Sequence, residues 1–157
     1  MTDLTSYHHF LRMDIASFEE ILEVVSPLIK RQDTVMRQAI PPGERLAVTL
    51  RFLATGESYS SLQYIYRIPA QTIGKIVPDT CRAIVKALKH YIQVPKTEDE
   101  WKSIAHQFNN KWQFPNCIGA LDGKHVLIQP PANSGSYYFN YKHTFSVVLM
   151  ALVDADY

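Results

Sequence analysis

The sequence holds only two cysteines, Cys81 and Cys117, in 157 residues. That excludes a disulfide framework or a cysteine-rich zinc site and points to a reducing compartment. No apolar run approaches the ~18 residues that a membrane-crossing helix needs. The opening "MTDLTSYHHFLRMD" has no apolar stretch behind basic residues, so it does not read as a secretory signal. Internal repeats and low-complexity segments are also missing. What remains is an ordinary globular composition, 46% apolar and 20% charged, long enough for one domain or two small ones.

The net charge of +1 says little, but its distribution is uneven. Residues 1–23 carry one basic and five acidic side chains, and residues 24–96 carry eleven basic and four acidic. Residues 97–157 return to four basic and six acidic. A basic middle between acidic ends suits a phosphate-facing surface, and equally a solvated helical face rich in Lys and Arg.

Up to about residue 110 the apolar spacing is helical. The first helix is expected over 17–31, with Ser17 and Glu20 at capping-box spacing and Pro27 as a kink or break. A second is expected over 43–55, stopped by Gly56, and a short third over 60–66, capped by Ser60. A fourth fits about 70–77, with Pro78 ending it or opening a separate segment at 79–89. The last, 98–109, has a Thr97–Glu100 capping box and an apolar side of Trp101, Ile104, Ala105 and Phe108. Residues 117–129 and 145–153 then read as apolar strands, separated by a long loop containing "SYYFNYKH".

Four features bear on chemistry. First, the helix, short helix, turn and helix of 43–77 have helix-turn-helix spacing. In such a unit Gln71, Thr72 and Lys75 would face bases, and Arg67 in the turn a phosphate. The same spacing also serves a plain packing unit. Second, Arg82, Lys86 and Lys89 form a basic stripe that tracks a backbone or is simply solvated. Third, Asp122 sits mid-strand in "GALDGKH", with Gly123 beside it permitting a close approach. A carboxylate there suits a hard cation such as Mg²⁺ or Mn²⁺, an ion pair with Lys124 or the capping of a loop; His125 reads more simply as a hydrogen-bonding residue. Asp154 and Asp156, in "DADY", suit a turn. Fourth, the aromatic loop could stack on unpaired bases or cap the core.

Together, "RLAVTLRFLATGESYSSLQYIYRIPAQTIGKIVPDTCRAI" (45–84) and "FPNCIGALDGKHVLIQPPANSGSYYFNYKHTFSVVLMALVDADY" (114–157) resemble the PIF/Harbinger family of transposases and the host nucleases derived from them. The "EW" at 100–101 before "IA" at 104–105 adds to this. "GALDGKH" with the downstream "YYFNYK" and "DADY" is the specific part.

The resemblance implies an α+β chain. A helical, helix-turn-helix-like region spans 1–110, and the first strands of an RNase H-like nuclease domain, incomplete here, span 111–157. It implies metal-dependent cutting of DNA by two Asp and one Glu holding Mg²⁺ or Mn²⁺, with Asp122 as the first acid. It further implies nuclear work on DNA, often beside a separate Myb-like DNA-binding partner. In the family the second Asp and the Glu lie on later elements. The expectation is therefore a fragment inactive alone, with a non-catalytic DNA-binding or protein-interaction module as the alternative.

Overall fold

The structure, a computed structural model, describes residues 4–157. Among these described residues, six α-helices precede a two-stranded antiparallel sheet. The chain divides into two compact units, one running to Gln93 and the other from Val94 to Tyr157.

The first unit holds α1 (Leu4–Leu11), α2 (Ile15–Ile29), α3 (Pro42–Thr55), α4 (Tyr59–Tyr66) and α5 (Ala70–Ala87), then a 3₁₀ turn at Lys89–Tyr91. Its main core joins Val48, Leu62, Ile68, Ile73, Ile76 and Val77, which are at most 4% exposed. A smaller cluster of Val25, Ile29 and Ala83 seats α2 on α5.

Several boundaries differ from the sequence expectations for physical reasons. Helix α2 begins at Ile15 rather than 17, because Asp14 is its cap: the Ser17 N–H and hydroxyl both donate to the Asp14 carboxylate, at 2.8 and 2.9 Å. These bonds hold the Asp14 carboxyl below its usual range. Ser58, not Ser60, caps α4 by accepting from the Ser61 N–H. Where candidate caps crowd together, the one whose oxygen reaches an unpaired amide wins.

The expected break at Pro78 does not occur, and α5 runs through it. Proline inside a helix costs about 3 kcal/mol. Ile73, Ile76, Val77 and Ala83 are buried on both sides of that position, and each large aliphatic contributes about 1.5–3 kcal/mol. Burial on one continuous face outweighs one lost hydrogen bond.

Helix α1 has no counterpart in the expected elements. At eight residues it is too short to stand alone in water. It is held by Leu11, which is buried, and by a Tyr7–Phe18 edge contact. Arg51 of α3 secures it further: its guanidinium lies 4.5 Å over the Phe10 ring, donates to the Phe10 carbonyl and pairs with Glu57 at 2.5 Å.

The second unit holds α6 (Glu98–Trp112), β1 (Ala120–Leu127) and β2 (Ser146–Val153). The division falls after Gln93, where the sequence suggested residue 110, because α6 is tied to the C-terminal turn. The Trp112 indole N–H donates to the Ala155 carbonyl at 3.0 Å, and Lys111 pairs with Asp156. The Thr97–Glu100 capping box forms as expected. The two strands pair in register from Ala120↔Val153 to Leu127↔Ser146. They are slightly shorter than their expected spans.

Candidate functional site

Asp122 lies in the middle of β1, opposite Ala151 of β2. Strand alternation puts it on one face with Ala120, Lys124 and Val126, and cross-strand with Leu149 and Val147. The carboxylate is exposed. Among the described residues it accepts no hydrogen bond and joins no ion pair, so the expected alternative of pairing with Lys124 is not realised. The flanking glycine does permit a close approach, and the approaching group is Met150. A Cβ on Gly123 would stand 3.3 Å from the Met150 sulfur, on the face away from Asp122.

That opposite face carries His125. Its Nδ1 lies 2.8 Å from the Ser146 hydroxyl, which also accepts from the Asn140 side-chain amide at 2.6 Å. The Asn140 carbonyl oxygen accepts from the backbone N–H groups of Lys142 and Thr144, at 2.9 and 3.2 Å. His125 is thus a hydrogen-bonding residue, as its chemistry suggested, and it anchors the aromatic loop to β1. Sequence spacing could not reveal this chain, because Ser146 is 21 residues from His125.

The C-terminal aspartates form the expected turn. The Asp156 N–H donates to the Asp154 carboxylate at 2.9 Å. No group of three or more His, Cys, Asp or Glu gathers in metal-binding range among the described residues. As a donor set, then, Asp122 offers one hard, accessible oxygen ligand. A pair of divalent ions needs more carboxylates than these residues bring together.

In the first unit, Arg67 ends α4 in the left-handed conformation, with φ 55°. The turn is fixed by Gln63, whose side-chain oxygen accepts from the Ala70 N–H at 2.8 Å as α5 begins. Gln71 and Lys75 stand exposed one helical turn apart on α5, and Thr72 between them is half-buried. Arg67 is exposed beside a surface hollow of about 380 Å³, lined also by Gln63, Tyr64 and Pro69. Gln63 and Tyr64 did not stand out in the sequence, since neither sits at a motif position.

The basic stripe is less continuous than its spacing suggested. Arg82 is drawn to Asp79 at 2.5 Å, and Asp79 also receives Arg31 at 3.2 Å. The Arg82 hydrogen bond holds the Asp79 carboxyl below its usual range, with Arg31 adding to the effect. Lys89 falls beyond the end of α5, in the 3₁₀ turn.

No family model matches the chain, and no solved structure gives a significant match. Curated proteins do. The Arabidopsis thaliana protein Antagonist of Like Heterochromatin Protein 1 is 24% identical over 157 residues, which is 96% of this chain and 39% of that protein. HARBI1 of Rattus norvegicus, whose name proposes a nuclease, is 24% identical over 134 residues, or 85% of this chain and 38% of its own. These are Harbinger transposase-derived proteins, and this chain is their homologue. The Arabidopsis protein named ALP1-like matches in the same way, at 31% identity over 115 residues, covering 72% of this chain and 28% of its own. The chain thus spans less than two fifths of the length of each of these relatives.

Proposed function

We propose that this chain supplies the first metal-binding acid and a DNA-contacting helical region of a Harbinger-type DDE nuclease. In this reading the paired strands begin an RNase H-like sheet, and Asp122 is its first metal ligand. The observation that carries the reading is the state of Asp122. It is a mid-strand carboxylate, solvent-exposed and without a protein partner, in a chain homologous to transposase-derived proteins. A structural ion pair would compete with an ion for that carboxylate, and Asp122 has none among the described residues.

Mg²⁺ or Mn²⁺, when bound, would activate water or a DNA 3′-hydroxyl and stabilise the leaving oxygen in phosphodiester cleavage. The role of this chain's residues is narrower. Asp122 holds one oxygen at a fixed height on β1. The remaining ligands, a second Asp and a Glu, come from outside these 157 residues. In the helical unit, α3, α4 and α5 act as a helix-turn-helix-like element. Gln71, Thr72 and Lys75 face the DNA, and Arg67 takes a phosphate. The protein acts in the nucleus, alongside a Myb-like DNA-binding partner.

Manganese provides a test that does not depend on cleavage. Mn²⁺ added to isotopically labelled chain is expected to broaden the amide signals of residues 121–123 and 150–152, and Asp122→Asn to abolish that broadening. Broadening that survives the substitution removes Asp122 as a ligand. For the helical unit, duplex affinity should fall with salt, with a slope of about −0.9 per phosphate contact. Arg67→Ala should flatten that slope by about one such unit, and an unchanged slope removes Arg67 as a phosphate contact.

A further inference from the structure

The loop between the strands has a chemistry of its own. Tyr137 and Tyr141 are 84% and 76% exposed, and Phe139 is 48% exposed. Three open aromatic rings within five residues form a cluster, and clustered apolar exposure marks interaction surfaces where scattered exposure does not. The loop is held in shape by Asn140, whose side chain accepts from two backbone amides and donates to the Thr144 and Ser146 hydroxyls. The rings are therefore presented in a set arrangement. Tyr141 lies edge-on to His125, with centroids 5.6 Å apart, and the Lys142 ammonium stands 5.6 Å from the Tyr141 ring. Phe139 similarly meets His143.

The charge pattern is equally selective. From Gly123 to Val153 there is no carboxylate, while Lys124, His125, Lys142 and His143 all fall in that span. An acid-free stretch with open rings and the Lys142 ammonium beside one of them matches a polyanion that carries flat bases. The bases of a duplex already stack on one another, so their faces are available only on an unpaired strand.

We propose that this loop is a stacking platform for an unpaired DNA strand, with Tyr141 and Tyr137 receiving bases and Lys142 an adjoining phosphate. The platform stands without the metal reading; the choice of DNA over RNA rests on it.

The test is fluorescence anisotropy of labelled oligothymidylate with the whole chain in EDTA, beside a blunt duplex of equal length. Tyr141→Ala should weaken oligothymidylate binding about tenfold, the scale of one lost base stack. Tyr141→Phe should stay within about twofold of the parent, because it keeps the ring. Duplex binding should not respond to either. Tyr137→Ala, at the more exposed ring, gives an independent reading should Tyr141→Ala lose its circular-dichroism signature. Because EDTA withholds divalent ions, binding in this assay reads the platform separately from the metal site. The proposal is overturned if the parent chain does not bind oligothymidylate, or if neither alanine variant weakens binding. It is also overturned if Tyr141→Phe loses as much as Tyr141→Ala.

Discussion

The two units solve the burial problem differently. In the helical unit, α5 is enclosed by α2, α3 and α4, and Leu46, Val48, Leu62 and Ile73 are completely buried. In the strand unit, the sheet is apolar on both faces, and the described residues of that unit bury neither. Leu121, Leu127, Val148, Met150 and Leu152 are 54–69% exposed on one face, and Val126, Val147 and Leu149 are 43–55% exposed on the other. The first unit has the burial of a self-sufficient core. The second draws its order from cross-strand hydrogen bonds, the Asn140-centred loop and the α6 anchor. A sheet hydrophobic on both sides is the pattern of a strand pair built to lie inside a larger layered structure.

Core truncation is the sharpest way to break that contrast. Ile73→Ala should destabilise the helical unit by about 2–5 kcal/mol in urea denaturation. Leu149→Ala, on the open sheet, should change stability by no more than about 0.5 kcal/mol. Equal costs would mean that the sheet is covered in solution.

A smaller effect tests how strongly the helical unit over-determines α5. Pro78→Ala restores an amide donor in the helix interior and should stabilise the unit, by at most about 3 kcal/mol. The gain is reduced because the unfolded chain becomes freer. Destabilisation would show that the proline ring packs usefully.

The smallest effect concerns acid. The Ser61 hydroxyl, with help from Arg51, holds the Glu57 carboxyl below its ordinary value of 4.5. A lowered folded pKa contributes stability above that value, which is lost as pH falls through the folded pKa. Glu57→Gln should therefore flatten the pH dependence of the helical unit's Tm as pH falls below the ordinary carboxyl value of 4.5. An unchanged acid slope would show that the clamp on α1 contributes nothing.

Much of the helical unit was legible in its sequence. Gly56 stops α3 in the left-handed conformation, at φ 67°, as a glycine after an apolar run should. In the second unit, the Thr97–Glu100 box is also present as read. What escaped was competition: Asp14 against Ser17, Ser58 against Ser60, and Pro78 against the face it interrupts. Each contest is settled by three-dimensional reach or by burial, and neither is encoded in local spacing. At the candidate site, the strand position of Asp122 was legible, but its lack of a partner was not. The link from His125 through Ser146 to Asn140 was also hidden, because it closes over a loop whose length the sequence leaves free.

The open hairpin has a consequence for handling the protein. β2 reads "SVVLMALV", eight residues with no charge, no proline and high strand propensity. In the two-stranded sheet its outer edge has no paired neighbour among the described residues. Such an edge is a template for like strands from other molecules, and stacking in that way would convert a soluble preparation into fibrils. One lysine on this strand, replacing Val147 or Leu149, is the gatekeeper that would hold the chains apart.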